Sequence, residues 1–180
     1  MNRAGRAIVA ASNAVDRLCL TLAKAALVGI VGSIALQVVA RYGLRSPPSW
    51  TEELARYLMV WGGLLGATAA FRRGIDPAVT QRPETGRGWS VQFARATLTS
   101  CVLLFLVPIL YFSFFGPGFD PSRSFLMRNL ARTSSGLGMN LIVIAAAIPT
   151  FCIVVIIHLA ARIVGGPAKT QVAEHAADIV

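Results

Sequence analysis

Few side chains in this sequence could do chemistry, and their spacing decides what kind. His158 falls near the end of an apolar run and His175 in the polar C-terminal stretch, so a haem held by axial imidazoles would find one candidate within a span. Cys19, Cys101 and Cys152 lie in or at the edge of apolar runs, with no Cys-x-x-Cys pair and no neighbouring His at metal-ligand spacing; they read as small buried hydrophobes. Ser134-Ser135-Gly136 has no obvious partner base, and the chain holds no Gly-x-Ser-x-Gly elbow, phosphate-cradling glycine loop or His-Glu-x-x-His. No catalytic, cofactor-binding or metal-binding residue is therefore expected, and the chain does not read as an enzyme. What remains is charge: Glu52, Glu53 and Arg56 in one cluster, the pair Arg72-Arg73, and Lys24 inside an apolar run.

The element that positions most of these charges runs from Ser49 to Gly74. Ser49 and Glu52 have the spacing of a capping box, and Pro47 and Pro48 mark the approach. From Leu54 to Phe71 nearly every residue is apolar or small, a length of about 27 Å at the helical rise, close to the thickness of a bilayer's hydrocarbon core. The acids sit at the positive end of the helix dipole and the arginines at the negative end, with Gly74 as terminator. Gly62, Gly66 and Ala70 recur every four residues, which predicts a face that another membrane helix can approach closely.

The run Trp50-Thr51-Glu52-Glu53, then Ala55-Arg56-Tyr57, a Gly-rich apolar span and Phe71-Arg72-Arg73-Gly74, resembles the signature of the small membrane subunit of tripartite ATP-independent periplasmic (TRAP) transporters. The four-span plan and the stretch from Leu137-Gly138-Met139 to Pro149 are similar to that family as well. After the arginines the chain departs from the pattern, with Ile75-Asp76-Pro77 in place of a His-bearing segment. The resemblance implies a larger multi-spanning subunit that holds the substrate and sodium sites, and an extracytoplasmic binding protein that delivers an organic acid. It also implies uptake driven by a sodium gradient without ATP.

Composition agrees with a membrane protein: 55% hydrophobic and 14% charged residues, against about a quarter charged in soluble domains. The formal charge of +9 does not form a nucleic-acid surface, because the basic residues are distributed at the ends of apolar segments. The expected fold is an all-α membrane protein of four transmembrane helices in a bacterial inner membrane. A basic lead, 1–17, precedes spans at about 18–40, 54–71, 91–115 and 137–161, and a tail follows at 162–180. Residues 75–90 read as a surface connection and 116–136 as the longest loop. An N-in arrangement places about ten Lys and Arg residues inside and about six outside, so both termini are expected to be cytoplasmic. In the first span, Ala25, Gly29, Ser33 and Gln37 form a packing stripe, and Lys24 either snorkels to the headgroups or pairs with a partner.

Four spans with no acidic residue at mid-depth and no convincing internal repeat do not look like a self-sufficient carrier. The expected role is scaffold and docking surface for the large subunit and the binding protein; the alternative is a membrane anchor or assembly subunit of a redox or other complex. The residues assigned to the partner interface are Trp50, Glu52, Glu53, Arg56, Gly62, Gly66, Arg72 and Arg73. For Glu52, Glu53 and Arg56 a purely local role stays open, since the arginine is one helical turn from both acids. The interface is preferred for Glu53 and Arg56, because capping accounts for Glu52 and leaves Glu53 without a comparable local partner.

Overall fold

The computed structural model describes residues 3–46, 48–73 and 89–165. Most of the expected surface connection at 75–90, most of the polar tail, and His175 lie outside the described residues. Among the described residues four helices are long and apolar enough to cross a membrane, and there is no strand beyond one isolated bridge.

The first of them, α1 (Arg3–Tyr42), is a single helix of 40 residues, about 60 Å long. The basic lead is thus continuous with the first span. Its buried residues are Gly5, Ser12, Cys19, Ala26, Ser33 and Ala40, one every seven positions and all small. A seven-residue repeat keeps one narrow seam facing a neighbour along the whole helix, which lets backbones come close. The expected stripe contributes Ser33 to the seam, whereas Ala25 is exposed. Against this seam lies α2 (Ser49–Arg73), which begins after Pro48; the Thr51 hydroxyl, with no exposed surface, donates to the Pro48 carbonyl at 2.8 Å.

The third long helix, α3 (Trp89–Phe114), packs mainly on the fourth, through Leu106 against Cys152 and Val155, with Phe71 of α2 at the edge of that cluster. Its far end carries Tyr111, whose ring stacks on Phe115 and meets Phe119 edge-on. Two short 3₁₀ turns, Pro117–Phe119 and Pro121–Arg123, lead into α4 (Phe125–Leu130), whose Ser124 cap accepts from the Met127 N–H.

The fourth span begins later than its hydrophobicity suggests. Residues 132–141 fold as a small antiparallel hairpin, with a bridge between Thr133 and Asn140, Ser134 N–H to Met139 O at 2.8 Å and Leu141 N–H to Arg132 O at 2.9 Å. Gly138 supplies the left-handed backbone of this turn, φ +67°. Helix resumes as α5 (Ile142–Ala145), breaks at Ala146, and continues as α6 (Ala147–Gly165). Pro149 cannot donate to the carbonyl four residues back, which weakens the ladder at this break. The Trp61 indole of α2 reaches the loosened turn and donates to the Val143 carbonyl at 3.0 Å. Cys19, Leu65 and Val154 pack where α1, α2 and α6 meet.

Candidate functional site: the two polar ends of α2

The charged residues singled out in the sequence gather at opposite ends of α2. At the hairpin end, the Glu53 carboxylate accepts from the backbone N–H groups of Gly136 at 2.8 Å and Leu137 at 2.9 Å through one oxygen. Its other oxygen accepts from the Tyr57 hydroxyl at 3.2 Å, and the Ser134 hydroxyl faces the same group. Successive backbone N–H groups aimed at one point make a concave anion site, and here the anion is a side chain of the same protein. The fit leaves no room at Gly136. A β-carbon there would stand 2.5 Å from Glu53 Oε2, 3.2 Å from Ser49 O and 3.5 Å from Trp50 Cα.

Glu53 therefore has a local partner, and the premise that it lacked one is overturned. The contact spans 83 residues of chain, which no spacing rule could expose. Glu52 and Arg56 behave as the sequence suggests: an i,i+4 pair 3.8 Å apart, with 63% and 64% of their side chains exposed. Trp50 is half-exposed beside the hairpin.

Along the shaft, Gly62 lies against α1, where an added β-carbon would come within 3.0 Å of Ala26 Cβ. Gly66 meets open space. The four-residue stripe is thus divided, one glycine serving the α1–α2 contact and the other facing outward.

At the opposite end, Arg72 reaches across to α1. Its guanidinium donates to the Ser12 carbonyl at 2.9 Å and to Asn13 Oδ1, and stands 3.5 Å from Asp16 Oδ2. Arg73 approaches the same carboxylate oxygen at 3.9 Å. Ser12 Oγ lies 2.8 Å from Nδ1 of His158, which is buried on α6. One polar cluster thus ties three helices together. Asp16 Oδ1 and His158 Nε2 are buried in it without a hydrogen-bond partner among the described residues. Sequence reasoning placed Arg72 and Arg73 here but missed Ser12, Asn13 and Asp16. Their signal is the i,i+4 spacing of Ser12 and Asp16, with Asn13 beside them, in the polar run that precedes the apolar stretch from Leu18.

These groups gather around the first and last turns of α2, on the parts of the hairpin, α1 and α6 that face those turns. Among the described residues no group of three or more His, Cys, Asp or Glu could hold a metal ion. The arrangement can fix helices and present surfaces at both ends.

Comparison with known sequences places this geometry in a family context. The family described as tripartite ATP-independent periplasmic transporters, DctQ component, matches residues 30–167, which include all of α2 and the hairpin. The sialic acid TRAP transporter permease protein SiaT of Haemophilus influenzae (strain 86-028NP) is 32% identical over 83 residues, 44% of this chain and 14% of that protein. A protein of Haemophilus influenzae (strain ATCC 51907 / DSM 11121 / KW20 / Rd) assigned as a TRAP transporter small permease is 41% identical over 69 residues, 38% of this chain and 40% of that protein. The matched regions cover well under half the length of either relative.

Proposed function

This chain belongs to the DctQ component family of tripartite ATP-independent periplasmic transporters, a multi-pass inner-membrane transporter family, and from that premise we propose that it is the small permease subunit of a sodium-driven secondary transporter. In this reading an extracytoplasmic binding protein delivers an organic acid to a large membrane subunit, and the present chain serves as scaffold and docking surface. Both termini lie in the cytoplasm, and the hairpin end faces outward.

The observation that carries the reading is where the polar groups are. They are clamped in pairs at the two ends of α2, while the helix between them is apolar or small. A protein that carried its own substrate would need polar groups facing a pathway at mid-depth. This one instead has rigid ends and long apolar helix faces, with exposed side chains such as Val28, Val31, Leu104 and Phe105. The proposed partner surface comprises Trp50, Glu52 and Arg56 at the hairpin end and the open face at Gly66, with Glu53, Gly62, Arg72 and Arg73 holding that surface in shape.

The test is co-purification with the large subunit encoded nearest to this chain, followed by uptake in proteoliposomes with and without a sodium gradient. Recovery of a stable complex and loss of uptake when this chain is omitted are expected. Full uptake by the large subunit and binding protein alone would overturn the proposal. Cysteines placed at Ser46 and Ser122, with the native cysteines replaced, test orientation: an impermeant thiol reagent should label both from outside intact cells.

A further inference from the structure

The polar groups on the two sides of α1 do not end at the same depth. On the packed side the last charged residue is Asp16, held by Arg72 and Arg73. Two positions before each buried residue of the seam is a position about 200° round the helix, on the far side. Those positions are Arg3, Ala10, Arg17, Lys24, Val31 and Val38, and every one is exposed. The line changes from basic to apolar between Lys24 and Val31. Lys24 thus lies about 12 Å further along α1 than Asp16, inside the apolar stretch. Neither Arg17 nor Lys24 has an ion pair among the described residues.

We infer that Arg17 and Lys24 form a site for the phosphate of an anionic phospholipid, on the face of α1 turned away from α2 and α6, in the leaflet on the side of the chain termini. Helix side chains lean toward the N-terminus, so the Lys24 stem runs from apolar depth back toward the level of Arg17. It covers much of the roughly 10 Å between the two Cα atoms. Thr21, between them, already donates its hydroxyl to the Arg17 carbonyl at 2.9 Å and leaves the position to the two cations. A phosphodiester at this level accepts charge-assisted hydrogen bonds from both. It also relieves the cost of a cation exposed to hydrocarbon. Just beyond Lys24, Leu27, Val28 and Val31 are exposed and apolar, a surface for the acyl chains hanging beneath that headgroup. Inorganic phosphate would use the same two cations but none of that apolar surface, which is why the lipid is the occupant.

The experiment uses the full chain, purified in phosphatidylcholine and titrated with phosphatidylglycerol, with bound lipid counted by native mass spectrometry. Wild-type protein should retain phosphatidylglycerol in preference to phosphatidylcholine. Arg17→Gln and Lys24→Leu should each lower that retention about fivefold, the ratio equivalent to about 1 kcal/mol per basic side chain at a membrane surface, while Lys24→Arg keeps it. Lys24→Gln gives the same comparison should Leu reduce the yield of folded protein, judged by helical circular dichroism. Equal retention by Lys24→Leu and wild type overturns the inference. So does a thermal shift with millimolar inorganic phosphate equal to that with phosphatidylglycerol, which assigns the site to a soluble anion. Loss of a co-purifying protein from Lys24→Leu with lipid retention unchanged would overturn it too, since the occupant would then be a protein. None of these outcomes depends on transport activity.

Discussion

The two ends of α2 are fixed by opposite means. At the hairpin end a single side chain, Glu53, is held mostly by backbone N–H groups of a distant turn. At the other end two arginines are held by side chains and a carbonyl of α1. A backbone clasp depends on the conformation of the turn and on the absence of a β-carbon at Gly136. A side-chain cluster depends on charge and tolerates incomplete pairing: Asp16 Oδ1 and His158 Nε2 have no hydrogen-bond partner among the described residues. The first kind sets a shape with little slack, whereas the second ties helices together and leaves room for adjustment.

The comparison is broken most directly at Gly136. Gly136→Ala forces a methyl to within 2.5 Å of Glu53 Oε2 and close to the α2 backbone, which cannot move away as a long side chain could. Overpacking of this kind costs about 1–3 kcal/mol, and the Tm of the purified protein should fall accordingly. Glu53→Gln should also lower Tm, because the replacement loses the charge that the two N–H groups face. Combined, the two substitutions should cost less than their sum, since both break one clasp. Full additivity would show that Gly136 matters for some reason other than Glu53.

At the arginine end, Arg72→Met should cost about 2–3 kcal/mol in the same unfolding measurement, since it removes three contacts and leaves the Asp16 carboxylate, 13% exposed, to Arg73 alone. His158→Leu should cost less than about 1 kcal/mol. It removes a buried nitrogen that has no partner among the described residues together with the hydrogen bond to Ser12, whose hydroxyl can turn to its own helix. An effect of His158→Leu as large as that of Arg72→Met would mean that the histidine, not the arginine, organises this end.

How far the sequence could be read follows from the same contrast. Helix α2 was legible almost residue for residue, because proline before it, acids in its first turn and arginines in its last are local signals. Four spans followed from hydrophobicity alone. The seam of α1 was read at a four-residue spacing, but two long helices that stay in contact over many turns use seven, and small residues in a span are too common to tell the periods apart. Hydrophobicity divides the hairpin at 132–141 between a loop and a span, since Leu137 and Met139 look like the start of an apolar run. The glycines at 136 and 138 were its visible turn signal. The clasp itself was illegible, because a carboxylate meeting backbone N–H groups 83 residues away leaves no pattern of residue types.

The smallest expected effect is also the one that best separates shape from contact. Glu53→Gln cannot decide whether the hairpin end meets a partner, because any loss of uptake would follow equally from an opened clasp. Arg56 has no such ambiguity. Among the described residues it forms an ion pair with Glu52 alone, and both side chains are nearly two-thirds exposed, so solvent screening keeps the pair at about 0.3–0.5 kcal/mol. Arg56→Gln should therefore leave Tm unchanged within error. If the outer face of α2 docks the large subunit or the binding protein, the same substitution removes a charge that becomes desolvated in the complex, and complex recovery and uptake should fall by tenfold or more, about 2 kcal/mol or above. Unchanged Tm with reduced uptake places the partner on this face. Unchanged Tm with wild-type uptake removes Arg56 from the interface and leaves the clasp, not the exposed charges, as what the hairpin end contributes.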